Sequence, residues 1–413
     1  MKKVKKQKKK KQPNKVYFKN VAMKQLNNVL LFLFVLLLPT QLGKHFFFEF
    51  SYLSGVRVDY LAPTLYVTDI LAVLLITINF KSVWHSLKKK KIIFFIFLLI
   101  LNLLISLSPT ISIYRYIKIL EFISIVVIFQ KKFLSDRSLL FSFLLGGIFQ
   151  FVLSTIQFVS KHSLQGILYF FGERPLSLSM PGIAKASITG VEILRPYGTF
   201  SHPNSLAGFY ILLYILVLTN KKFTAYPFFK FIFLLVSSLI VLLSFSKVAL
   251  MVFLIVNIIY IWKSSLKKNC AACFVSRIIV LLILSAVFMQ AKTDPFSLQK
   301  RIFLSQNALE IIKQNPFFGV GLGNYLISQH QFSVTYTDLL NQPVHNVFLI
   351  LLSEVGVIPL FILLAFFFKR LKIAINKAPY VFIGLFIIGL FDHYVITLQQ
   401  NFLLVAVLLG SIL

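Results

Sequence analysis

Acidic residues are scarce in this sequence, with 12 Asp and Glu against 43 Lys and Arg and a formal net charge of +31. Polar residues are in the minority, because 58% of the 413 residues are hydrophobic. This composition excludes an ordinary soluble globular protein. Cysteine is nearly absent. Cys270 and Cys273 form a C-x-x-C that lacks both the βαβ setting of a thioredoxin-like site and the two further ligands of a zinc site, so we expect neither.

Apolar stretches, in contrast, are abundant and approach the roughly 20 residues that cross a bilayer as a helix. They predict an all-α fold, a polytopic membrane bundle of about 12 transmembrane helices, at 28–42, 61–79, 92–107, 113–129, 138–158, 204–219, 231–246, 248–262, 278–291, 346–367, 380–395 and 398–413. The predicted organisation is a basic cytoplasmic tail (1–24), N-terminal membrane helices (25–159), an extracytoplasmic loop (160–203), central membrane helices (204–291), a large extracytoplasmic loop with a surface helix (292–345) and C-terminal membrane helices (346–413).

The basic residues are distributed very unevenly along this topology. Thirty of the 43 Lys and Arg fall in segments placed inside, together with a single acidic residue, Asp136. Such asymmetry predicts that the chain crosses a membrane many times and that both termini lie in the cytoplasm. The tail Lys2–Lys11 suits attraction to anionic membrane lipids. No aromatic interleaving or nucleic-acid fold accompanies it, so we expect no nucleic-acid partner.

Only two predicted outside loops are long, Ser160–Pro203 and Lys292–Val344. In the second loop the apolar positions 298, 302, 309 and 312 predict a helix that rests on the bundle or on the bilayer surface. Asn315-Pro316 should end it. The glycines at 319, 321 and 323 permit a tight backbone, either for a turn or for close approach to a ligand. We find no internal repeat, which weakens a transporter built from inverted halves.

Four cationic or titratable residues lie on the predicted outer side. Arg195 precedes the sixth span, Lys247 follows the seventh, Arg301 lies on the loop helix and His345 starts the tenth. The simpler interpretations are a solvated arginine, a snorkelling lysine, a surface charge and a histidine that only caps a helix. The functional interpretation is that His345 acts as a general base while the three cations stabilise a diphosphate leaving group.

Several other polar residues fall within or beside the spans. Lys118 and Glu121 are three apart on one helix and predict a structural ion pair. Glu354 is a candidate by its membrane position, but its direction favours a packing role between helices. Asp392-His393-Tyr394 and Gln399-Gln400 bracket the last outside turn and form a polar cluster that could bind sugar or serve structure.

Three segments together resemble the O-antigen ligase and O-antigen polymerase superfamily of bacterial envelope proteins. The first is Arg195-Pro-Tyr-Gly-Thr-Phe-Ser-His-Pro-Asn204, followed by Leu206 and Gly208. The second runs from Arg301 to Asn315-Pro-Phe-Phe-Gly-Val-Gly-Leu-Gly323. The third is His345-Asn346 with Leu349, Glu354 and Gly356. The resemblance covers about half of the chain, and the first five spans are similar only in being helical.

The resemblance implies a GT-C-like, all-helical glycosyltransferase that works without a metal or cofactor. Such enzymes transfer a glycan from undecaprenyl diphosphate to a glycan, lipid or protein acceptor at the outer face of the cytoplasmic membrane. It implies His345 as the base and Arg195 and Arg301 on the diphosphate, with Asn204 and Asn346 beside the substrate. Lys247 stands where the family often has arginine, and a lysine offers a point charge instead of a bidentate fork.

Three classes of function remain open at this point. Glycan transfer, as a ligase or as a lipid-linked glycan polymerase, is the preferred one. A non-enzymatic flippase or transporter for a lipid-linked saccharide would place charges along a path at mid-membrane depth, whereas these concentrate at the outer face. A structural or sensory membrane protein would need a partner domain. Substitutions at Arg195, Arg301 and His345 without effect would favour either alternative.

The topology generates a direct prediction. Alkaline phosphatase fused after Leu413 should be inactive, and the same reporter inserted after Gln165 should be active, because the enzyme matures only outside the cytoplasmic membrane. Whole-cell phosphatase activity, normalised to expression, measures both. An active C-terminal fusion would contradict the predicted orientation.

Overall fold

The computed structural model of this protein describes residues 15–88, 90–188, 190–266, 279, 281–282, 285–286, 297–332 and 341–413. Tail residues 1–14, the cysteine pair and most of the predicted span 278–291 lie outside the described residues. Within them the protein is mostly helical, as the sequence predicts, and its first helix begins at Lys15, inside the predicted basic tail.

The described residues form seventeen α-helices, which we number in chain order. They are α1 Lys15–Leu37, α2 Val67–Ile78, α3 Phe80–Leu87, α4 Lys90–Leu104, α5 Pro109–Gln130, α6 Asp136–Ser160, α7 Ile167–Phe170, α8 Pro203–Thr219, α9 Pro227–Leu243, α10 Lys247–Leu266, α11 Ser297–Gln314, α12 Tyr325–Gln329, α13 Val347–Val355, α14 Val357–Lys377, α15 Pro379–Phe391, α16 Tyr394–Thr397 and α17 Gln399–Ile412. Short 3-10 helices occupy Glu49–Ser51, Asp59–Leu61 and Lys221–Ala225.

Three small two-stranded antiparallel sheets interrupt the helical fold. Their strands are β1 Gly43–His45 with β4 Thr64–Tyr66, β2 Tyr52–Leu53 with β3 Val56–Arg57, and β5 Lys185–Ile188 with β6 Val191–Leu194. In register, Lys44 pairs with Leu65 and Ala186 with Ile193. The helical periodicity by which the sequence was interpreted does not detect strands of only two to four residues. The connection before α2 is therefore a structured segment, although the sequence predicted only a short loop there.

Helix α8 forms the centre of the bundle. Apolar residues occupy every face of this helix, and nearly all of its residues are buried. This pattern is typical of a helix that is enclosed on all sides. It packs against α9, α10, α15 and α17. The Tyr210 hydroxyl satisfies its hydrogen bond inside the core by donating to the Gly146 carbonyl at 3.1 Å. Because α8 is enclosed, its N-terminus at Pro203 is held in a fixed position.

Among the described residues, only α6 is long and apolar enough to cross a membrane as a single helix. Up to three spans qualify if the bent pairs α2–α3 and α13–α14 each count as one, and six further apolar helices are shorter. This establishes an apolar helical protein of the predicted class. The number of twelve spans remains a prediction.

The predicted span 346–367 is not one helix. The backbone bends by 113° between α13 and α14, at Gly356, whose φ is +78°. A Cβ at Gly356 would lie 2.5 Å from the backbone of Phe317, and a Cβ at Gly319 would lie 2.5 Å from the backbone of Glu354. The glycine-rich loop after α11 therefore packs directly on the broken helix. The tight backbone predicted at these glycines serves contact with protein backbone.

The loop helix also differs from its predicted orientation. Helix α11 ends before Asn315-Pro316 as expected, but the side chains that it buries are Leu304, Asn307, Ala308 and Ile311. Leu298, Ile302 and Leu309 are exposed. The predicted apolar face does not rest on the bundle, because α13 packs on the neighbouring face instead. Contact of the exposed face with the bilayer surface remains a prediction.

Two glycine substitutions separate backbone strain from close packing. Gly319→Ala and Gly55→Ala both place alanine at positive φ, +69° and +79°, at a cost of about 1–2 kcal/mol each. Only the Gly319 Cβ meets another backbone, which adds about 2 kcal/mol of overpacking, whereas Gly55 has nothing within 4 Å. Denaturant unfolding in detergent measures both free energies. Equal losses would contradict the close approach of the glycine loop to α13.

Candidate functional site

Three distant segments of the chain meet at the Asp392 carboxylate, between α15 and α16. The Nδ1 atom of His345 lies 3.2 Å from Asp392 Oδ1, and the backbone N–H of His393 donates to the same oxygen at 3.0 Å. The amide of Asn204 donates to Asp392 Oδ2 at 3.1 Å. Asp392 is only 5% exposed. The last outside turn, which the sequence left open between sugar binding and structure, therefore orients the predicted base.

The start of α13 fixes the position of His345. Asn346 accepts a hydrogen bond from the Leu349 N–H at 3.0 Å, which makes it a typical helix N-cap. Its own amide donates to the Leu390 carbonyl at 3.1 Å and so ties α13 to the end of α15. Both contacts of Asn346 are structural, and they place the neighbouring imidazole opposite Asp392.

Arg195 and Arg301 approach the same turn from two sides. Arg195 is buried and donates through Nε to the Ser244 carbonyl at 2.9 Å and through Nη2 to Asn204 Oδ1 at 2.6 Å. Arg301 donates through Nη1 to the Phe391 carbonyl at 2.6 Å, one residue before Asp392. The two arginines thus supply positive charge beside the carboxylate and hold its neighbours in place.

Lys247 is not brought into this cluster. It begins α10, is exposed, and among the described residues no hydrogen bond or ion pair joins it to Asp392 or His345. Its connection is indirect, since the same short turn supplies the Ser244 carbonyl to Arg195.

The electrostatics of the turn favour an ionised Asp392 beside neutral His393. Burial alone would raise the pKa of Asp392, but the charge and hydrogen bond of His345, with His393 and Arg301, lower it well below its usual range. Burial, with repulsion from His345, lowers the pKa of His393 to about 3. Burial also lowers the pKa of Arg195 to about 10, so it stays cationic at neutral pH. An ionised carboxylate only accepts hydrogen bonds, so His345 Nδ1 is the donor to Asp392.

His345 opens onto a cleft of about 1180 Å³. Asp392, His393 and His202 line the cleft beside it, and Tyr60, Arg115, Arg174 and Ser201 also line it. Of the six predicted site residues, His345 alone is among the described residues that line this cleft. The others, Arg195, Asn204, Lys247, Arg301 and Asn346, lie behind or beside its wall.

A second buried polar cluster joins α2, α5 and α17. The Lys118 ammonium lies 2.5 Å from Asp69 and 3.7 Å from Glu121, which confirms the predicted Lys118–Glu121 pair and adds a closer partner. Gln399 donates to Asp69 at 2.5 Å.

Glu354 accepts from the Tyr325 N–H at 3.3 Å, in agreement with a packing role.

The ligand atoms of His345, Asp392 and His393 lie within 4.8 Å of one another and could hold a metal ion. Their present partners are protein groups, including Asn204 on Asp392 and Thr397 Oγ1 at 2.7 Å from His393 Nδ1. No metal motif is visible in the sequence here, because the ligands are 47 residues apart or adjacent, outside any ligand spacing that defines a motif.

Comparison with known proteins finds a family match in one part of the chain. Residues 231–365 match the family described as O-antigen ligase, about a third of the chain. The matched segment contains Lys247, Arg301 and His345. It confirms the resemblance to the O-antigen ligase and polymerase superfamily. No curated protein matches the chain.

Stability below neutral pH should depend on His393. Its pKa is 6.5 when unfolded and about 3 when buried, so its contribution is complete above pH 6.5 and is lost as the pH falls. At pH 5 the loss is about 2 kcal/mol. His393→Gln should flatten the fall in unfolding free energy between pH 7 and 5, while exposed His162→Gln should follow wild type. Identical slopes for all three proteins would contradict the buried neutral imidazole.

Proposed function

We propose that this chain is a membrane glycosyltransferase that moves a glycan from an undecaprenyl-diphosphate carrier to an acceptor at the outer face of the bacterial cytoplasmic membrane. The observation that carries the proposal is the His345–Asp392 pair on the wall of a cleft large enough for saccharide units. An imidazole with Nδ1 held by a carboxylate presents Nε2 as a general base, the arrangement that recurs in hydroxyl activation. The match of residues 231–365 to O-antigen ligase supports the class of reaction.

In the proposed reaction, His345 Nε2 removes the proton of an acceptor hydroxyl. The hydroxyl oxygen then bonds to the anomeric carbon of the lipid-linked glycan, and the bond from that carbon to the diphosphate oxygen breaks. The proton remains on the imidazole, which Asp392 stabilises as the cation, and the electron pair leaves with undecaprenyl diphosphate. Positive groups near the leaving oxygen lower the barrier by stabilising its charge.

The predicted binding residues have different roles in this proposal, some direct and some indirect. Arg195 and Arg301 supply charge beside the turn and keep their predicted place near the diphosphate. Asn204 links Arg195 to Asp392, at 2.6 and 3.1 Å. Its role is therefore indirect, because it holds the carboxylate that orients His345. Asn346 acts in the same indirect way. Lys247 is exposed on the outer side of our proposed twelve-span topology, where it would meet lipid headgroups or the diphosphate.

Ligase and polymerase chemistry use the same donor and differ only in the acceptor, so the lipid-linked glycan polymerase remains the nearest alternative. A non-enzymatic flippase is the second. It would have no need of a base paired with a buried carboxylate, which is the observation that favours transfer.

Transfer should depend on His345 at the chemical step. In proteoliposomes with native donor lipid, His345→Ala and His345→Gln should lower kcat by about 10²–10⁴-fold, the usual contribution of a general base, with donor binding retained. His162→Ala, in an outside loop, is the matched control. Unchanged turnover in His345→Ala would remove it as base, and lipid-linked glycan crossing the bilayer without transfer would favour the flippase.

The metal question has a separate test. We expect transfer to survive dialysis against EDTA, because the proposed base and cations need no ion. Activity that is lost on chelation and restored by one divalent cation would assign His345, Asp392 and His393 as its ligands and would contradict the metal-independent proposal.

A further inference from the structure

One wall of the cleft carries positive and donor groups to which the reaction above gives no part. Arg174 follows the short helix α7 and donates through Nη1 to the Ser201 carbonyl at 3.3 Å. Arg115, on α5, donates through Nη2 to the Tyr60 carbonyl at 3.2 Å. The Tyr60 ring lies 5.7 Å from the His393 ring, edge to face. The four residues thus border the same space as the proposed base.

Four carboxylates line the cleft, Asp59, Glu173, Glu354 and Asp392, and each has a partner within the protein. Glu354 accepts a hydrogen bond from the Tyr325 N–H at 3.3 Å. Asp59 pairs with Arg57 at 3.2 Å, and Asp392 with His345. Glu173 accepts from Gln157 and from the N–H groups of residues 164 and 165 at 2.6–2.9 Å. Within the described part of the chain, no carboxylate lies at ion-pair distance from Arg115 or Arg174. Each guanidinium has five N–H donors, and one of them donates to the backbone carbonyl named above.

The hydroxyl groups beside these arginines also lack acceptors. The Ser201 Oγ is buried and has no hydrogen-bond partner among the described residues. The Tyr60 hydroxyl likewise makes no hydrogen bond within them. A buried hydroxyl without a partner is costly, so it indicates a group that the free protein does not supply. Two guanidinium groups and two hydroxyls offer donors only to an acceptor with several oxygens and negative charge.

We propose that Arg115, Arg174, Tyr60 and Ser201 form an oxyanion subsite of the cleft, which binds a phosphate or carboxylate group of the substrate. This inference deepens the proposed function and rests on it only for the identity of the ligand. The oxyanion is either the diphosphate of the lipid carrier or an acidic group on the glycan. In both cases it anchors the saccharide next to His345.

Binding of inorganic pyrophosphate to the full-length protein in nanodiscs tests the subsite without any transfer. Calorimetry should give a dissociation constant at least tenfold weaker for Arg174→Gln than for wild type, and weaker binding for Ser201→Ala. Lys185→Gln removes a cation from the same outside loop, where Lys185 pairs with Glu192 at 3.3 Å, and should bind as wild type does. Arg174 is exposed, so its substitution should leave folding intact. Arg115→Gln serves as a second variant once its thermal unfolding matches wild type.

Two competitors identify the source of the oxyanion. Displacement of pyrophosphate by undecaprenyl diphosphate assigns the lipid carrier, and displacement by oligogalacturonate alone assigns an acidic glycan. Equal affinity of wild type and Arg174→Gln for pyrophosphate and oligogalacturonate would overturn the subsite. His345→Ala should keep wild-type pyrophosphate binding. A protein that binds through Arg174 but transfers no glycan would therefore refute the proposed function and leave the subsite standing.

Discussion

The Asp392 carboxylate is the group on which the candidate site depends. Burying an ionised carboxylate is expensive unless hydrogen bonds and cations replace its water. Here the replacements come from Asn204 at the start of α8, His345 before α13 and the neighbouring N–H of His393. These segments are 47 to 188 residues away from Asp392 or adjacent to it, so the His345–Asp392 pair exists only in the assembled bundle. Arg195 and Arg301 complete the assembly by holding Asn204 and the Phe391 carbonyl.

Packing of the glycine-rich loop on the broken helix supports the geometry of this pair. The break at Gly356 shortens α13 and allows the glycine loop after α11 to lie against it. Asn102 on α4 donates to the Phe318 and Glu354 carbonyls at 3.2 and 3.1 Å, which joins the loop, the broken helix and α4. Because the same short helix carries His345 at its start, strain in the loop would be transmitted to the imidazole.

The sequence was sufficient for much of the fold and for one central residue. Periodicity and charge asymmetry gave the helical class, and the polar residue before an apolar stretch identified His345. The prediction of which face of α11 packs on the bundle was wrong, because the exposed face of this helix is as apolar as its buried face. The small antiparallel sheets were not predicted, because strands of two to four residues are too short to show a periodic pattern. Arg174, Tyr60 and Ser201 were missed since nothing in a single sequence shows that residues 60, 174 and 201 share one cleft.

A double-mutant cycle on kcat tests the central claim, that Asp392 acts through His345, most directly. Glycan transfer would be measured for wild type, His345→Ala, Asp392→Asn and the double variant. The account predicts strong non-additivity: Asp392→Asn should be severe in wild type and should cost almost nothing once His345 is gone. Losses that multiply independently would show that the two residues do not act as one unit, and would contradict the oriented base.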